Sequence, residues 1–235
     1  MSRYQRILVK ISGEALANGG FGVSGDGVGS VAKELAEVVS EGVQVGVVVG
    51  GGNFWRGRSS ENMDRGIADN IGMLATIMNG LALSDALRQI GVKNKVVSAV
   101  NVDKIAHYAT IAEVQALFDE GYTVIFVGGT GSPYFSTDTA VVLRACEAHA
   151  QAVFCAKAVD AIYDSDPNTN PDAVKYDELT YDKVLADNLK AMDATAIALA
   201  RDFAIEIVAY GKNEPHGLKR ILNGEKLGTV VKNAK

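Results

Sequence analysis

The sequence predicts an α/β domain built as a three-layer α/β/α sandwich with a mainly parallel central sheet. Three observations predict it. Short, continuously apolar runs alternate with segments of helical period along nearly the whole chain. Those runs lack the polar alternation of half-exposed strands, as strands buried on both faces require. Glycine-rich segments follow three of them, the usual place for a ligand loop in a parallel sheet.

In chain order, Arg6–Ile11 (RILVKI) reads as the first buried strand, and Val28–Glu41 as a helix with Val28, Val31, Leu35, Val38 and Val39 on its apolar face, stopped by Gly42. Val43–Val49 (VQVGVVV) is a second strand, which completes a βαβ unit. Lys95–Ala99 and Thr123–Val127 are further strands, separated by a helix over Ile111–Glu120 that ends at Gly121. Thr137–His149 is helical, Ala152–Ala156 a strand, Tyr181–Asn188 and Ala191–Phe203 helices, and Ile205–Ala209 a late strand. Two short elements, His216–Leu222 and Thr229–Val231, close the order. The Pro/Asn/Asp-rich stretch Asp164–Pro171 (DSDPNTNP) is a long surface turn. Its carboxylates Asp164 and Asp166 read as turn residues, not as a glycosidase pair. No linker divides the 235 residues, so a single domain over 1–235 is expected. Ile71–Leu87 is apolar almost all round, so that helix must be covered on two sides, either within the core or by a second subunit.

Composition narrows the function. Hydrophobic residues make up 48%, charged residues 22%, and mean hydropathy is +0.09, which suits a packed globule and not a disordered chain. Lys plus Arg (23) against Asp plus Glu (28) leaves −5, so no basic field exists to hold nucleic acid. The apolar run after Met1–Arg6 is too short for a signal or a membrane span, and a cytoplasmic location is expected. Cys146 and Cys155 have no CxxC pattern and read as free thiols. His107, His149 and His216 are scattered, so a metal held only by protein side chains is not expected.

Glycine is the informative excess, 25 of 235 residues, against the ~7% of an average protein. Its clusters lie in Lys10-Ile11-Ser12-Gly13-Glu14, in Gly50-Gly51-Gly52-Asn53-Phe54-Trp55-Arg56-Gly57 and in Gly128–Asp138. Any one of these is ordinarily a tight turn. Three at one sheet edge suggest phosphate-rich ligands, because glycine lets backbone N–H groups approach phosphate oxygens. Lys10 near a buried strand end needs an anion, and Arg56 offers a guanidinium fork to phosphate. No GxxxxGK[ST] or GxSxG occurs. Gly20–Gly25 matches GxGxxG but lies nine residues beyond its strand, so it reads as a mobile loop and not as a dinucleotide turn.

The segments LVKISGEAL (Leu8–Leu16), VGGGNFWRG (Val49–Gly57), IGMLATIMNGLAL (Ile71–Leu83), GTGSPYFSTD (Gly129–Asp138), VDAIYDSDP (Val159–Pro167) and NGEKLGTVV (Asn223–Val231) together resemble the bacterial uridylate (UMP) kinases of the amino acid kinase fold family. The resemblance spans nearly the whole chain and implies the reaction ATP + UMP → ADP + UDP in pyrimidine nucleotide synthesis. It implies that Lys10, Arg56 and Asp138 are catalytic. ATP would meet Lys10, Ile11, Ser12, Gly13, Gly52 and Arg56, with Tyr163 and Asp166 in the adenosine pocket. UMP would meet Gly51, Asp69 and the run Thr130, Gly131, Ser132, Pro133, Tyr134, Phe135, Ser136 and Thr137. On this pattern the N-terminal part carries mainly the UMP site and subunit contacts, and the C-terminal part mainly the ATP site. Mg²⁺ would be held mainly through the nucleotide phosphates. The resemblance further implies a homo-oligomer, commonly a hexamer, with GTP as activator and UTP as inhibitor; Gly19–Gly22 resembles a segment tied to the GTP response.

One segment departs from the pattern. Where relatives usually read Lys-Ala-Thr-Lys-Val-Asp-Gly, this chain has Cys155-Ala156-Lys157-Ala158-Val159-Asp160-Ala161. Lys157 then stands as the candidate second phosphate cation. The alternatives are a relative that phosphorylates a carboxylate or carbamate, a nucleotide sensor without turnover and, on the Gly20–Gly25 match alone, a nicotinamide oxidoreductase.

Overall fold

The apolar runs form the strands that their composition demands. In the computed structural model, which describes residues 3–56 and 62–234, these are β1 (Arg6–Ile11), β2 (Gln44–Val49), β3 (Asn94–Ser98), β5 (Thr123–Val127), β6 (Ala152–Lys157) and β10 (Glu206–Gly211). Shorter strands join them: β4 (His107–Tyr108), β7 (Ile162–Tyr163), β8 (Lys175–Tyr176), β9 (Glu178–Thr180) and β11 (Thr229–Lys232). The helices are α1 (Gly13–Ala17), α2 (Gly25–Val39), α3 (Arg65–Gln89), α4 (Ile111–Asp119), α5 (Thr137–Glu147), α6 (Tyr181–Ala186), α7 (Ala194–Asp202) and α8 (Gly217–Leu222). Met1, Ser2 and Gly57 lie outside the described residues.

Among the described residues, nine strands share one sheet in the order β4-β3-β5-β2-β1-β6-β10-β11-β9. Its pairs are parallel apart from β10 with β11. The pleat sends Ile7 and Val9 to a core shared with α2, α3 and α8, and Leu8 to one shared with α4, α5, α6 and α7. Helix–sheet–helix is thus the layer order expected.

Sequence periodicity left out five elements: α1, β4, β7, β8 and β9. Each is short, and each is set by a cap or by a neighbour rather than by an apolar run. Ser12 caps α1 by accepting from Ala15 N at 3.3 Å. The Asp164–Pro171 turn is carried by a small antiparallel hairpin of β7 and β8. Gly25 opens α2 behind the Ser24 cap, so the Gly20–Gly25 match straddles a helix start and makes no strand-to-helix turn. Gly22 is moreover tied to the second glycine segment, donating to Asn53 O at 3.0 Å and accepting from Asn53 Nδ2 at 2.6 Å.

α3 is long and apolar enough by composition to cross a membrane. Its packing is that of a core helix: Ala75, Ile77, Leu83 and Leu87 are buried, and so are the polar residues Thr76 and Asn79. Ile67, Leu74, Met78 and Leu81 stay exposed on the other side. Gly80 sets how closely α3 meets the sheet, since a Cβ there would lie 2.2 Å from Val127 Cγ1. Gly80→Ala should therefore lower stability by about 1–3 kcal/mol in urea unfolding; a gain, as at an exposed helical glycine, would contradict this close packing.

Candidate active site

β1, β2 and β5 lie side by side and parallel, so their carboxyl ends open at one edge. The chain runs from β1 to β2 on one side and later places β6 on the other. β1 is thus the switch point at which open α/β sheets bind ligands. A cavity of about 530 Å³ lies there, lined by all three glycine segments together with α3. A second, of about 340 Å³, lies beyond the end of β6 between the β7 turn and residues 187–190.

Lys10 is the cation at the floor of the first cavity. Its neighbours β2 and β6 flank it in register at Val48 and Cys155. Burial alone would pull the ammonium down. Asp138 opposes this through an ion pair and hydrogen bond, with smaller help from Asp193, and the net pKa lies above the ordinary lysine value. Asp138 is held in place by the start of α5, where Ser136 Oγ accepts from Asp138 N at 3.0 Å and from Thr139 N at 3.3 Å. Cys155 is fully buried and its thiol is pushed up to about 11, first by burial, so it is a neutral part of the floor and no nucleophile.

Two buried polar residues of α3 fasten the loops. Asn79 Nδ2 donates to Gly50 O at 2.7 Å and to Asn53 Oδ1 at 2.7 Å, and Asn53 Nδ2 donates back to Asn79 Oδ1 at 2.9 Å. One turn earlier, Thr76 Oγ1 accepts from Gly128 N at 2.7 Å and donates to Met73 O. The first segment fits against the second with no side chain between them: a Cβ on Gly13 would lie 2.3 Å from Asn53 Oδ1. In the third, Gly131 has φ +84° and no room for a Cβ beside Ala99 O. Tyr134 holds φ +73°, a strained value for an aromatic residue. Its N–H donates to Asp69 Oδ2 at 2.8 Å, which helps to hold that conformation.

The sequence model described as the amino acid kinase family matches residues 5–208. The chain belongs to the amino acid kinase family. Among its relatives, the uridylate kinase of Streptococcus thermophilus is 46% identical over 235 residues, covering 98% of this chain and 96% of that one. The uridylate kinase of Cutibacterium acnes is 47% identical over 232 residues, with 97% and 98% covered. The crystal structure of UMP kinase from Bacillus anthracis superposes with a TM-score of 0.95 at 36% identity, covering 99% of this chain and 97% of that one. That of UMP kinase from Ureaplasma parvum gives 0.91 at 36% identity, with 98% and 100% covered.

In this amino acid kinase, Lys10, Ser12, Gly13, Gly51, Gly52, Arg56, Asp69, Thr130, Ser132, Phe135, Ser136, Thr137 and Asp138 all line the first cavity. Ile11, Gly131, Pro133 and Tyr134 do not. Lys157, Tyr163 and Asp166 line the second. Several side chains are already engaged. The Ser136 hydroxyl caps α5, and one Asp166 oxygen accepts from Asn168 N and Nδ2, both at 2.9 Å. Tyr163 donates its hydroxyl to Asp160 at 2.8 Å.

Three residues escaped the sequence reading. Glu14 pairs with Arg56, and Arg65 donates from Nε to Asp69 Oδ2 at 2.8 Å, so Arg65 brings a further cation to the cavity. The i,i+4 spacing of Arg65 and Asp69 was a usable signal. Asp193, the cap of α7, lies against the start of α5, and no local pattern announces that contact.

The sign of the Lys10 shift gives a test. Its folded-state pKa is raised, so the stability it contributes is present below the ordinary lysine pKa and is lost as pH rises through the folded value. In Asp138→Ala only burial remains as the dominant influence, and the Lys10 pKa should fall below that of an exposed lysine in an NMR titration. An unchanged value would mean that Asp138 does not hold the charge.

Proposed function

We infer that this enzyme transfers the γ-phosphoryl group of ATP to UMP, giving ADP and UDP. The observation that carries the reading is the half-buried Lys10–Asp138 pair at the meeting of three glycine segments, in a chain similar over nearly its full length to uridylate kinases.

In the proposed arrangement UMP occupies the first cavity, between Asp69, Gly51 and residues 130–137. Asp69 accepts from ribose hydroxyls. The adenosine of ATP occupies the second cavity, where Tyr163 offers a ring face and Asp166 an acceptor. The ATP phosphates extend toward Lys10, Ser12, Gly13, Gly52 and Arg56, with Ile11 carrying the backbone into that turn. Lys10 and Lys157 support this end-to-end placement. Their strands are hydrogen-bonded neighbours, Lys10 is level with Cys155, and Lys157 lies on the same face about 7 Å further along.

The acceptor is a phosphate oxygen that is largely ionised at neutral pH. It attacks the γ-phosphorus, the bond to the bridging β–γ oxygen breaks, and ADP leaves with the electron pair. No strong base is required; the enzyme supplies in-line placement and charge neutralisation. Lys10 neutralises charge on the transferring group, Asp138 orients Lys10, and Arg56 steadies the phosphates once they displace Glu14. Among the described residues no three His, Cys, Asp or Glu side chains gather into a metal cage. Mg²⁺ would enter with the ATP phosphates, and its chemistry would be to offset their charge. The exposed strip Ile67, Leu74, Met78 and Leu81 of α3 suits contact between copies of the chain. A hexamer, GTP activation and UTP inhibition belong to the same proposal.

ADP release measured with UMP, CMP and acetylglutamate side by side tests the reaction. UMP should be the preferred acceptor, and Lys10→Ala should lose on the order of 100-fold in kcat, about 3 kcal/mol of transition-state stabilisation. Turnover with acetylglutamate alone, or tight nucleotide binding with no turnover, would overturn the reading, and near-normal kcat in Lys10→Ala would remove that lysine from it. Lys157→Met should raise the KM for ATP or lower kcat; if neither moves, Lys157 is no phosphate ligand.

A further inference from the structure

We propose that Asp193 is a positioning residue for phosphoryl transfer: it locks the first turn of α5, and thereby holds Asp138 against the Lys10 ammonium. This rests on the catalytic reading of Lys10 and Asp138 given above.

Asp193 stands where two helix N-termini meet. Its Oδ1 caps α7, accepting from Ala196 N at 2.8 Å, and also accepts from Thr139 Oγ1 at 3.0 Å. Its Oδ2 accepts the hydroxyl proton of Ser136. Capping α7 needs one acceptor oxygen only. The other contacts reach across to the first turn of a different helix, the turn that bears Asp138.

The Ser136 hydroxyl explains why a carboxylate stands there. That oxygen already accepts two backbone N–H bonds, from Asp138 and Thr139. Its one proton therefore needs an acceptor, and a carboxylate is acceptor-only. An amide nitrogen at the same place would bring a third donor to the Ser136 oxygen and leave its proton unplaced. Asp193→Asn thus keeps an oxygen for the α7 cap while disturbing the cap of α5. The negative charge of Asp193 also favours the charged form of Lys10, together with Asp138 on α5, while Cys155 on β6 faces it as a neutral thiol.

Steady-state kinetics on the full chain decide the proposal. Asp193→Asn should lower kcat about tenfold while the KM for ATP and for UMP stays within about threefold, because placement of the reacting groups is lost and binding is not. Thr139→Val should lower kcat by a smaller factor, and Thr139→Ser should restore it. In an Asp138→Ala background, adding Asp193→Asn should cost nothing more, since the two act through one contact. Equal losses in both backgrounds, or unchanged kcat in Asp193→Asn, would overturn the proposal. Should Asp193→Asn not fold, the Thr139 pair decides alone: equal kcat in Val and Ser variants overturns it. Normal turnover in Asp138→Ala by itself would overturn the underlying catalytic reading, and this is measured first.

Discussion

An ammonium group placed inside a sheet must find an anion. Lys10 stands on β1, flanked in register by Val48 on β2 and Cys155 on β6, and burial is the largest influence acting on it. Desolvation of a lone charge there would cost several kcal/mol. Asp138 supplies the compensation without a nucleotide, and its own position follows from the start of α5, which follows from Ser136 and Asp193. The same demand suits the edge above β1 to phosphate: the fold keeps a partly desolvated ammonium there, and a phosphate would share it with Asp138.

Two of the three glycine segments are fastened by polar residues buried on α3. Thr76 and Asn79 lie one turn apart on α3 and reach the third and second segments respectively, while Asp69 near the start of the helix holds the strained Tyr134 backbone. Buried polar groups of this kind are costly unless satisfied, and here each has partners. One element thus sets the relative placement of two loops from different strands. Phosphoryl transfer without a base depends on such placement. Among the described residues, the cations that line the first cavity are paired with carboxylates: Lys10 with Asp138, Arg56 with Glu14, Arg65 with Asp69. On the proposed reading, nucleotide phosphates would have to compete with these carboxylates for the cations.

The long elements were legible in the sequence. RILVKI, VQVGVVV and TVIFV are apolar enough to be buried on both faces, as in a parallel sheet, and the glycine clusters mark three segments that the fold brings to one sheet edge. Lys10 was legible as well, since its charge contradicts its surroundings. The short elements were not. α1, the β7–β8 hairpin and the helix start at Ala194 depend on Ser12, on cross-strand pairing and on Asp193, contacts that carry no period.

Local chemistry, written in apolar runs, turn residues and one misfit lysine, determined that this chain would be an α/β protein with glycine-rich loops after its strands. The pairing of Lys10 with Asp138, 128 residues apart, the two cavities on either side of the β1–β6 junction, and the grip of Asp193 on α5 were decided only when the sheet order brought distant segments together. Periodicity reports which face of an element is buried. It holds no information about what that face meets, because the partner is chosen by the packing of the whole chain.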